Sequence, residues 1–240
     1  MVGVASTILA VDAVTGRRSV RAFLPTPVED DVVRAILAGA SRAASGTNIQ
    51  PWLVHVVTGE AQERLSQAAL GAMEAGEIHL EYAYLPEAMK EPYLSRRRKI
   101  GYDLFARYGI ARDDYPARKA AMLRNFRFFG APVGLFFTME RDNALGAWLD
   151  CGMFMQNVMV LARAYGLETC PQQAWCDVGP VVHRELGIPQ GHIVLSGMAL
   201  GHEDIDASVN GLVSDRAPVD EFTTWHGAKT AAGNCHASTS

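Results

Sequence analysis

Three arginines within five residues are the first feature of this sequence that could support chemistry. They stand in the run RRSVR at residues 17–21, and a second polar run, ASGTNIQPW, follows at residues 44–52. Guanidinium groups are planar and always charged, and their forked donors match the oxygens of a phosphate. A glycine within a polar loop allows the backbone to approach a ligand closely. Together the two runs predict a site for a large planar anionic cofactor, whereas the arginine run alone fits a solvated basic turn equally well.

Both runs resemble the two N-terminal markers of the nitroreductase family of flavoproteins. Three later runs resemble the C-terminal landmarks of that family, in the right order. They are GLETCPQ at 166–172, GMALG at 197–201 and RAP at 216–218. Each run is a loose match by itself, but the ordered set is much more specific. The resemblance extends from residue 14 to residue 222.

The composition is typical of a folded protein with one domain, or with a compact domain and an insertion. Of 240 residues, 49% are hydrophobic and 20% are charged. The formal net charge of −4 argues against nucleic acid as the main partner. The four cysteines form neither a CxxC pair nor a zinc-binding spacing, so we expect reduced thiols in a cytoplasmic protein.

The hydropathy pattern predicts neither a signal peptide nor a membrane span. Residues 1–14 are apolar but lack a basic start and include Asp12, so they predict an amphipathic first helix. No run approaches the roughly 18 consecutive apolar residues that a membrane span requires.

The segment between the two polar runs predicts a helix that positions them. Thr26, Pro27 and Glu29 have the spacing of a capping box with proline in the first turn, and apolar residues then recur on one helical face. The run LVHVVT at 53–58 is β-branched and bounded by proline and glycine, which predicts a buried strand. Residues 60–76 predict a further helix.

The segment 77–129 differs in composition from the rest of the chain. Six of the seven tyrosines lie between Tyr82 and Tyr115, together with the basic run RRRK at 96–99. One interpretation is a helical lid with aromatic walls for a substrate. The other is an excursion with solvated basic faces and aromatic residues packed on the core.

The second half of the chain predicts two more strands and a long apolar helix. VGLFFT at 133–138 and HIVLSGMA at 192–199 read as buried strands. Residues 144–165 are apolar almost all round and end at Gly166, so this helix must be buried centrally or in a subunit interface. Residues 227–240 are small and polar, and we expect them to be disordered.

Strands separated by long helices predict a layered α/β-type arrangement. The family resemblance refines this to an α+β fold with three layers, in which helices flank a mixed or antiparallel sheet. It implies a single FMN-binding domain over residues 1–226 with a helical insertion at about 77–129. It also implies an intertwined homodimer, which periodicity alone does not.

Several common site types are absent from the sequence. There is no GxGxxG after a strand, no Walker-type loop and no GxSxG elbow. The run HED at 202–204 is interpreted as a solvated turn rather than a metal site, and no metal ligands are predicted. Phosphate binding must therefore come from side chains such as the arginines.

The resemblance implies FMN as the cofactor and assigns residues to it. In chain order these residues are Arg17, Arg18, Ser19, Arg21, Ser45, Gly46, Asn48, Asn125, Gln173, Ala174 and Arg216. The first three and Arg216 match positions at the phosphate, and Arg21 matches the cation beside N1 and the C2 carbonyl of the ring. Asn125 matches an asparagine at the ribityl or pyrimidine end.

Two further groups complete the implied site. The loop 45–48 matches one that reaches the flavin of the other subunit, and the backbone at 173–174 matches the segment facing flavin N5. Two positions depart from the family pattern. Ser214 stands where members often have a second basic residue, and Ala174 stands where many have glycine.

The implied activity is reduction of a small nitroaromatic or quinone-like acceptor by NADPH or NADH, through hydride transfer at flavin N5 in a ping-pong cycle. The insertion and the CPQQAW run at 170–175 look most like the nitrobenzoate-reductase branch. No catalytic residue is predicted, because the cofactor carries the electrons. The alternatives are a specialised enzyme on the same scaffold, of the reductive dehalogenase or flavin-cleaving type, or a non-catalytic FMN-binding dimer.

Overall fold

The computed structural model describes residues 7–227. In chain order the helices and strands are α1 (Ala10–Thr15), α2 (Asp30–Ala40), β1 (Leu53–Thr58), α3 (Gly59–Ala75), α4 (Tyr93–Arg107), α5 (Tyr115–Leu123), β2 (Val133–Glu140), α6 (Leu145–Ala164), β3 (Glu168–Gln172), α7 (Gly179–Leu186), β4 (His192–Gly201) and α8 (Val219–Phe222). Short 3₁₀ turns occur at Gly46–Asn48, Arg124–Gly130, Gln173–Asp177 and Ser208–Gly211.

The strands form one antiparallel sheet in the order β1-β2-β4-β3. β2 and β4 are central, and nearly all of their residues are buried. They read as continuous apolar runs because helices cover both faces of the sheet. β3 lies at an edge, which is where a sheet tolerates a proline such as Pro171.

Helices on the two faces of the sheet give three layers. On one face, α3 and α7 pack with Phe136 of β2 and with Trp175. On the other face, α2 and α6 pack with Leu135 and Phe137 of the same strand. Successive side chains of a strand point to opposite faces, so β2 contributes to both cores. The predicted three-layer α+β fold with an antiparallel sheet is confirmed.

Most of the predicted elements are present, but two were missed. β1, α3, β2, α6 and β4 occur where the patterns indicate. The prediction that β1 is buried is wrong, because β1 lies at an edge of the sheet and only Val57 in it is buried. β3 was missed because its sequence, ETCPQ, lacks apolar alternation and contains proline. α7 was missed because it has only eight residues, with Pro180 in its first turn and Gly187 ending it at φ 64°.

The predicted capping box at Thr26 is wrong. α2 begins at Asp30, and the carbonyl of Glu29 accepts the first helical hydrogen bond, from the Val32 N–H at 2.9 Å. Glu29 occupies the N-cap position, and its side chain makes no capping hydrogen bond. The negative charges of Asp30 and Asp31 instead stabilise the positive end of the helix dipole.

The segment 77–129 contains α4 and α5, and no residue of α4 is buried. Arginines lie over its aromatic rings, Arg112 at 4.5 Å from the centre of Tyr102 and Arg118 at 4.3 Å from that of Phe105. Cation–π contacts of this kind contribute roughly 0.5–1 kcal/mol at exposed sites. These rings therefore pack on arginines of the same segment and not in the two cores.

α6 is long and apolar enough to cross a membrane by length and composition alone, which the sequence reading did not anticipate. A core helix meets the same two criteria, and α6 packs against α2 and the sheet. Cys151, Cys170 and Cys176 are buried and free, as predicted for reduced thiols. Cys235, the predicted tail after Gly227, and part of the predicted first helix lie outside the described residues.

Candidate functional site

The arginine run lies beside β3, at the edge of the sheet. Ser19 forms a parallel bridge with Thr169, and the Val20 N–H donates to the Thr169 carbonyl at 3.1 Å. The hydroxyl of Ser19 also bonds to the Cys170 thiol. Val20 is fully buried, so it anchors the run in the core while its neighbours on either side stay near the surface.

Asn210 holds the other side of the run. This side chain is 3% exposed and lies in the 3₁₀ turn Ser208–Gly211. Its Oδ1 accepts from the Arg21 N–H at 2.8 Å, and its Nδ2 donates to the carbonyls of Ala22 and Asp204 at 2.8 and 2.9 Å. Because all three bonds involve backbone groups, Asn210 fixes the path of the chain rather than one side chain.

The Arg18 side chain bonds to a backbone carbonyl and to a carboxylate of the same chain. Its Nε donates to the Asn210 carbonyl at 2.9 Å, and its guanidinium forms an ion pair with Glu203, whose side chain is 12% exposed. The reading of residues 202–204 as a solvated turn is therefore wrong for Glu203. The charge of Arg18 is already balanced within the chain.

Arg17 and Arg216 come from opposite ends of the chain and influence each other. Burial, followed by the charge of Arg216, lowers the pKa of Arg17. The hydrogen bond of the Arg17 side chain is to Sδ of Met159 at 3.9 Å, whereas Arg216 bonds to oxygens of Ser214 and Asp215 in its own turn. Within residues 7–227, neither guanidinium forms an ion pair with a carboxylate.

The charge of Glu168 raises the pKa of Arg17, opposite to the effect of burial and of Arg216. Glu168 forms its ion pair elsewhere, with Nε of Arg163 at 3.0 Å. Burial raises the pKa of Glu168 itself, against the opposing charge of Arg163. Two neighbouring cations without a carboxylate of their own are suited to a doubly charged anion.

Arg21 lies between β3 and the end of α4. Its Nη1 donates to the Ser19 carbonyl at 3.1 Å. Burial raises the pKa of Tyr108, and the nearby charge of Arg21 opposes that change to a smaller extent. Burial likewise raises the pKa of Cys170 to about 11 against the opposing charge of Arg21. The positive charge of Arg21 thus faces a partly desolvated space.

Two buried hydroxyls beside the arginine run, those of Thr169 and Tyr108, have no hydrogen-bond partner among the described residues. A buried polar group left unpaired costs about 1–3 kcal/mol. Oxygen and nitrogen atoms of a bound molecule would relieve that cost. Unpaired guanidinium groups next to unpaired hydroxyls are a donor set that fits the phosphate and ring carbonyls of FMN.

The turn after β3 brings together two further candidates. Gln173 and Ala174 begin the 3₁₀ turn and are half-buried. The Gln173 amide donates to the hydroxyl of Tyr82. The carbonyl of Asn125 accepts from the Gln172 amide at 2.7 Å, so Asn125 lies next to this turn.

The loop 45–48 lies elsewhere in the chain. The Ser45 hydroxyl and the Gly46 N–H both donate to Asp150 of α6, and Asn48 is exposed. In the described part of the chain, no hydrogen bond or ion pair joins this loop to residues 17–21. A single chain therefore brings together the arginines, Asn125 and the turn after β3, but not this loop.

Sequence reasoning missed the residues that hold the site in place. Asn210 lies in an irregular segment 189 residues from its partner Arg21, and Asp150 lies within an apolar helix. A buried carboxylate in such a helix was the one available signal, because charged groups are rarely buried without a partner. Among residues 7–227, no group of three or more His, Cys, Asp or Glu is arranged to hold a metal.

Curated relatives match this chain over most of its length and most of their own. A chloronitrobenzene nitroreductase of Comamonas testosteroni is 40% identical over 216 residues, which are 89% of this chain and 95% of the relative. A 4-nitrobenzoate reductase of Pseudomonas putida is 37% identical over 214 residues, 89% of this chain and 94% of the relative.

Solved structures agree with the fold. The FMN and NADPH-dependent nitroreductase NfnB from Sphigopyxis sp. strain HMH superposes with a TM-score of 0.90 at 40% identity, covering 92% of this chain and all of that one. The FMN-dependent NfnB of Mycobacterium smegmatis, solved with NADPH, gives 0.87 at 32% identity, covering 90% and 97%. The protein-family model described as "Nitroreductase family" matches residues 14–202 of the sequence. The predicted family is confirmed, and this chain belongs to the nitroreductase family.

Proposed function

We propose that this protein is an FMN-dependent oxidoreductase that uses NADPH or NADH to reduce nitroaromatic compounds. The predicted enzyme class and cofactor agree with relatives named for nitrobenzene, chloronitrobenzene and nitrobenzoate reduction and with structures of FMN- and NADPH-dependent enzymes. FMN supplies the hydride chemistry when bound, and the residues of the chain bind it and orient the reactants.

This proposal rests on Arg17 and Arg216, two arginines that influence each other and form no ion pair with a carboxylate within residues 7–227. A phosphate monoester placed between them would remove their mutual repulsion and gain charge-assisted hydrogen bonds from both. Ser19 belongs to the same phosphate site. We now assign Arg18 to holding the run through Glu203, because its guanidinium is already engaged there.

The remaining candidates are proposed for the ring and the ribityl chain. Arg21 carries the positive charge beside N1 and the C2 carbonyl, where it stabilises the reduced anionic flavin. The backbone at Gln173 and Ala174 faces N5, and Asn125 lies at the ribityl or pyrimidine end. No side chain is proposed as a proton donor or acceptor, so the protein contributes position and charge.

A homodimer completes the proposed site. Leu145, Leu149 and Met153 form a stripe on α6 and are 83%, 71% and 41% exposed in the single chain. A contiguous apolar stripe of this kind is typical of an interface. We propose that this stripe contacts a second copy, and that residues 45–48 of one subunit reach the flavin of the other.

The insertion is proposed to select the acceptor within a single domain over residues 1–226. Tyr84, Tyr93 and Tyr115 on it are 62%, 63% and 72% exposed, so aromatic surface is available to a planar compound. A cytoplasmic location, where reduced nicotinamide is available, is part of the same proposal.

A visible absorption spectrum of the purified protein, before and after anaerobic NADPH and then NADH, tests the proposal. We expect a flavin spectrum that bleaches with at least one donor and recovers when nitrobenzene or 4-nitrobenzoate is added. A colourless protein that takes up no added FMN would contradict the assignment. Strict dependence on a single unrelated acceptor would favour the specialised alternative.

A further inference from the structure

The loop 45–50 has a strained backbone that something must hold. Thr47, Asn48 and Gln50 all have positive φ angles, of 50°, 63° and 48°. Residues other than glycine adopt this region rarely, because their side chains crowd the backbone there. The loop is exposed, so packing against the core does not impose this conformation.

One carboxylate holds the start of the loop, and the hydroxyl that it binds holds the end. Oδ2 of Asp150 accepts from the Ser45 hydroxyl and from the Gly46 N–H, each at 2.9 Å. The Ser45 hydroxyl oxygen in turn accepts from the Gln50 N–H at 2.8 Å. The Ser45 hydroxyl therefore joins the first and last residues of the loop directly, and Asp150 holds that hydroxyl in place.

Asp150 is a charged residue in an apolar environment. It is 6% exposed on α6, and within residues 7–227 it has no ion-pair partner. Burial, and then the charge of Asp150, raises the pKa of the neighbouring Cys151 to about 11. A buried carboxylate is costly unless hydrogen bonds compensate it, and its compensating donors here come from the loop.

We propose that Asp150 is a positioning residue that holds the loop 45–50 in the conformation that receives the flavin. Leu149 and Met153, close to it on α6, belong to the exposed stripe proposed as the subunit contact. The carboxylate thus connects the subunit contact to the flavin contact through one helix. This inference rests on the proposed function, because it assigns a role toward bound FMN.

Three variants test the role of the carboxylate: Asp150→Ala, Asp150→Asn and the control Asp142→Ala, at an exposed aspartate. The FMN dissociation constant of each apoprotein is measured by flavin fluorescence. We expect Asp150→Ala to weaken FMN binding about tenfold or more, because two charge-assisted bonds are lost. Asp150→Asn keeps an oxygen acceptor and should recover most of that affinity, and Asp142→Ala should match the wild type.

Hydrogen exchange of the flavin-free protein provides a readout of the loop itself. The amides of Gly46 and Gln50 should exchange slowly in the wild type and at least tenfold faster in Asp150→Ala. If that variant does not fold, Ser45→Ala retains the carboxylate and should still speed exchange at Gln50. Unchanged exchange, or wild-type FMN affinity in folded Asp150→Ala, would overturn the inference. Failure of wild-type apoprotein to bind FMN would instead overturn the proposed function.

Discussion

The arginine run and the insertion lie close together but are held in place in different ways. Residues 17–21 are bonded on one side to β3 and on the other to the buried amide of Asn210. α4 of the insertion has no buried residue, and its ion pairs are exposed. One of them joins Arg96 to Glu221 of α8, and their side chains are 48% and 56% exposed.

On the basis of this difference we propose different tasks for the two regions. A cofactor that remains bound through every catalytic cycle needs a rigid, preorganised site, whose bonds are made to the backbone. A segment that admits different planar acceptors benefits from weak, replaceable surface contacts. We expect substitutions in the first region to change stability and FMN affinity, and those in the second to change acceptor preference.

The largest effect is expected for Asn210→Ala. It leaves the Arg21 N–H without a partner and removes one of the two hydrogen bonds that each of the carbonyls of Ala22 and Asp204 accepts, at about 3 kcal/mol in the free energy of unfolding. Chemical denaturation measures this loss, with Asn143→Ala as the control at a less buried asparagine. Equal stability of both variants would mean that the arginine run does not depend on Asn210.

Next in size are Arg17→Ala and Arg216→Ala. Each removes one partner of the phosphate, worth about 1.5–3 kcal/mol, so FMN should bind roughly 10- to 150-fold more weakly. Titration of the apoproteins with FMN checks this, and Arg64→Ala, on the exposed side of α3, is the matched control. Full flavin occupancy in Arg216→Ala would remove that arginine from the site.

A smaller effect is expected for Arg21→Ala. FMN should remain bound, but the reduced anionic flavin loses a stabilising charge. If that charge contributes about 1.4 kcal/mol, the two-electron potential falls by about 30 mV. Equilibration with a reference dye under reducing conditions measures the potential. An unchanged value would place Arg21 away from the N1 edge.

The smallest effect on stability is expected for Glu221→Gln, which breaks the exposed pair between α8 and α4. Pairs of this kind contribute about 0–1 kcal/mol, so the free energy of unfolding and the FMN affinity should hardly change. The KM for nitroaromatic acceptors should change more than either, because α4 is released. A large loss of FMN with no change in KM would reverse the roles of the two regions.

Local sequence patterns predict the elements that have a clear apolar run and clear boundaries. β1 is recognisable from β-branched residues between proline and glycine, and α6 from an apolar run ending at Gly166. The strand with Pro171 was missed because its pairing at the sheet edge outweighs local preference. The capping box failed because α2 begins at Asp30, later than the spacing after Thr26 indicates.

The candidate site is predictable only in part. Charged side chains in unusual runs drew attention to Arg17 and Arg21, and the family resemblance added Arg216 from the far end. Asn210 and Asp150 have no comparable local signal, since their role is to bond with backbone groups distant in sequence. Arg18 was noticed because it belongs to the arginine run, but its ion pair with Glu203 cannot be inferred from that run.

The central claim is that Arg17 and Arg216 form the phosphate site of FMN, and its most direct test compares FMN with riboflavin, which lacks the phosphate. Dissociation constants are measured for the wild-type apoprotein and for the double variant Arg17→Ala/Arg216→Ala. We predict that the wild type prefers FMN by about 100-fold or more and that the double variant binds both flavins almost equally. Equal binding by the wild type, or a preference that survives in the double variant, would contradict the claim.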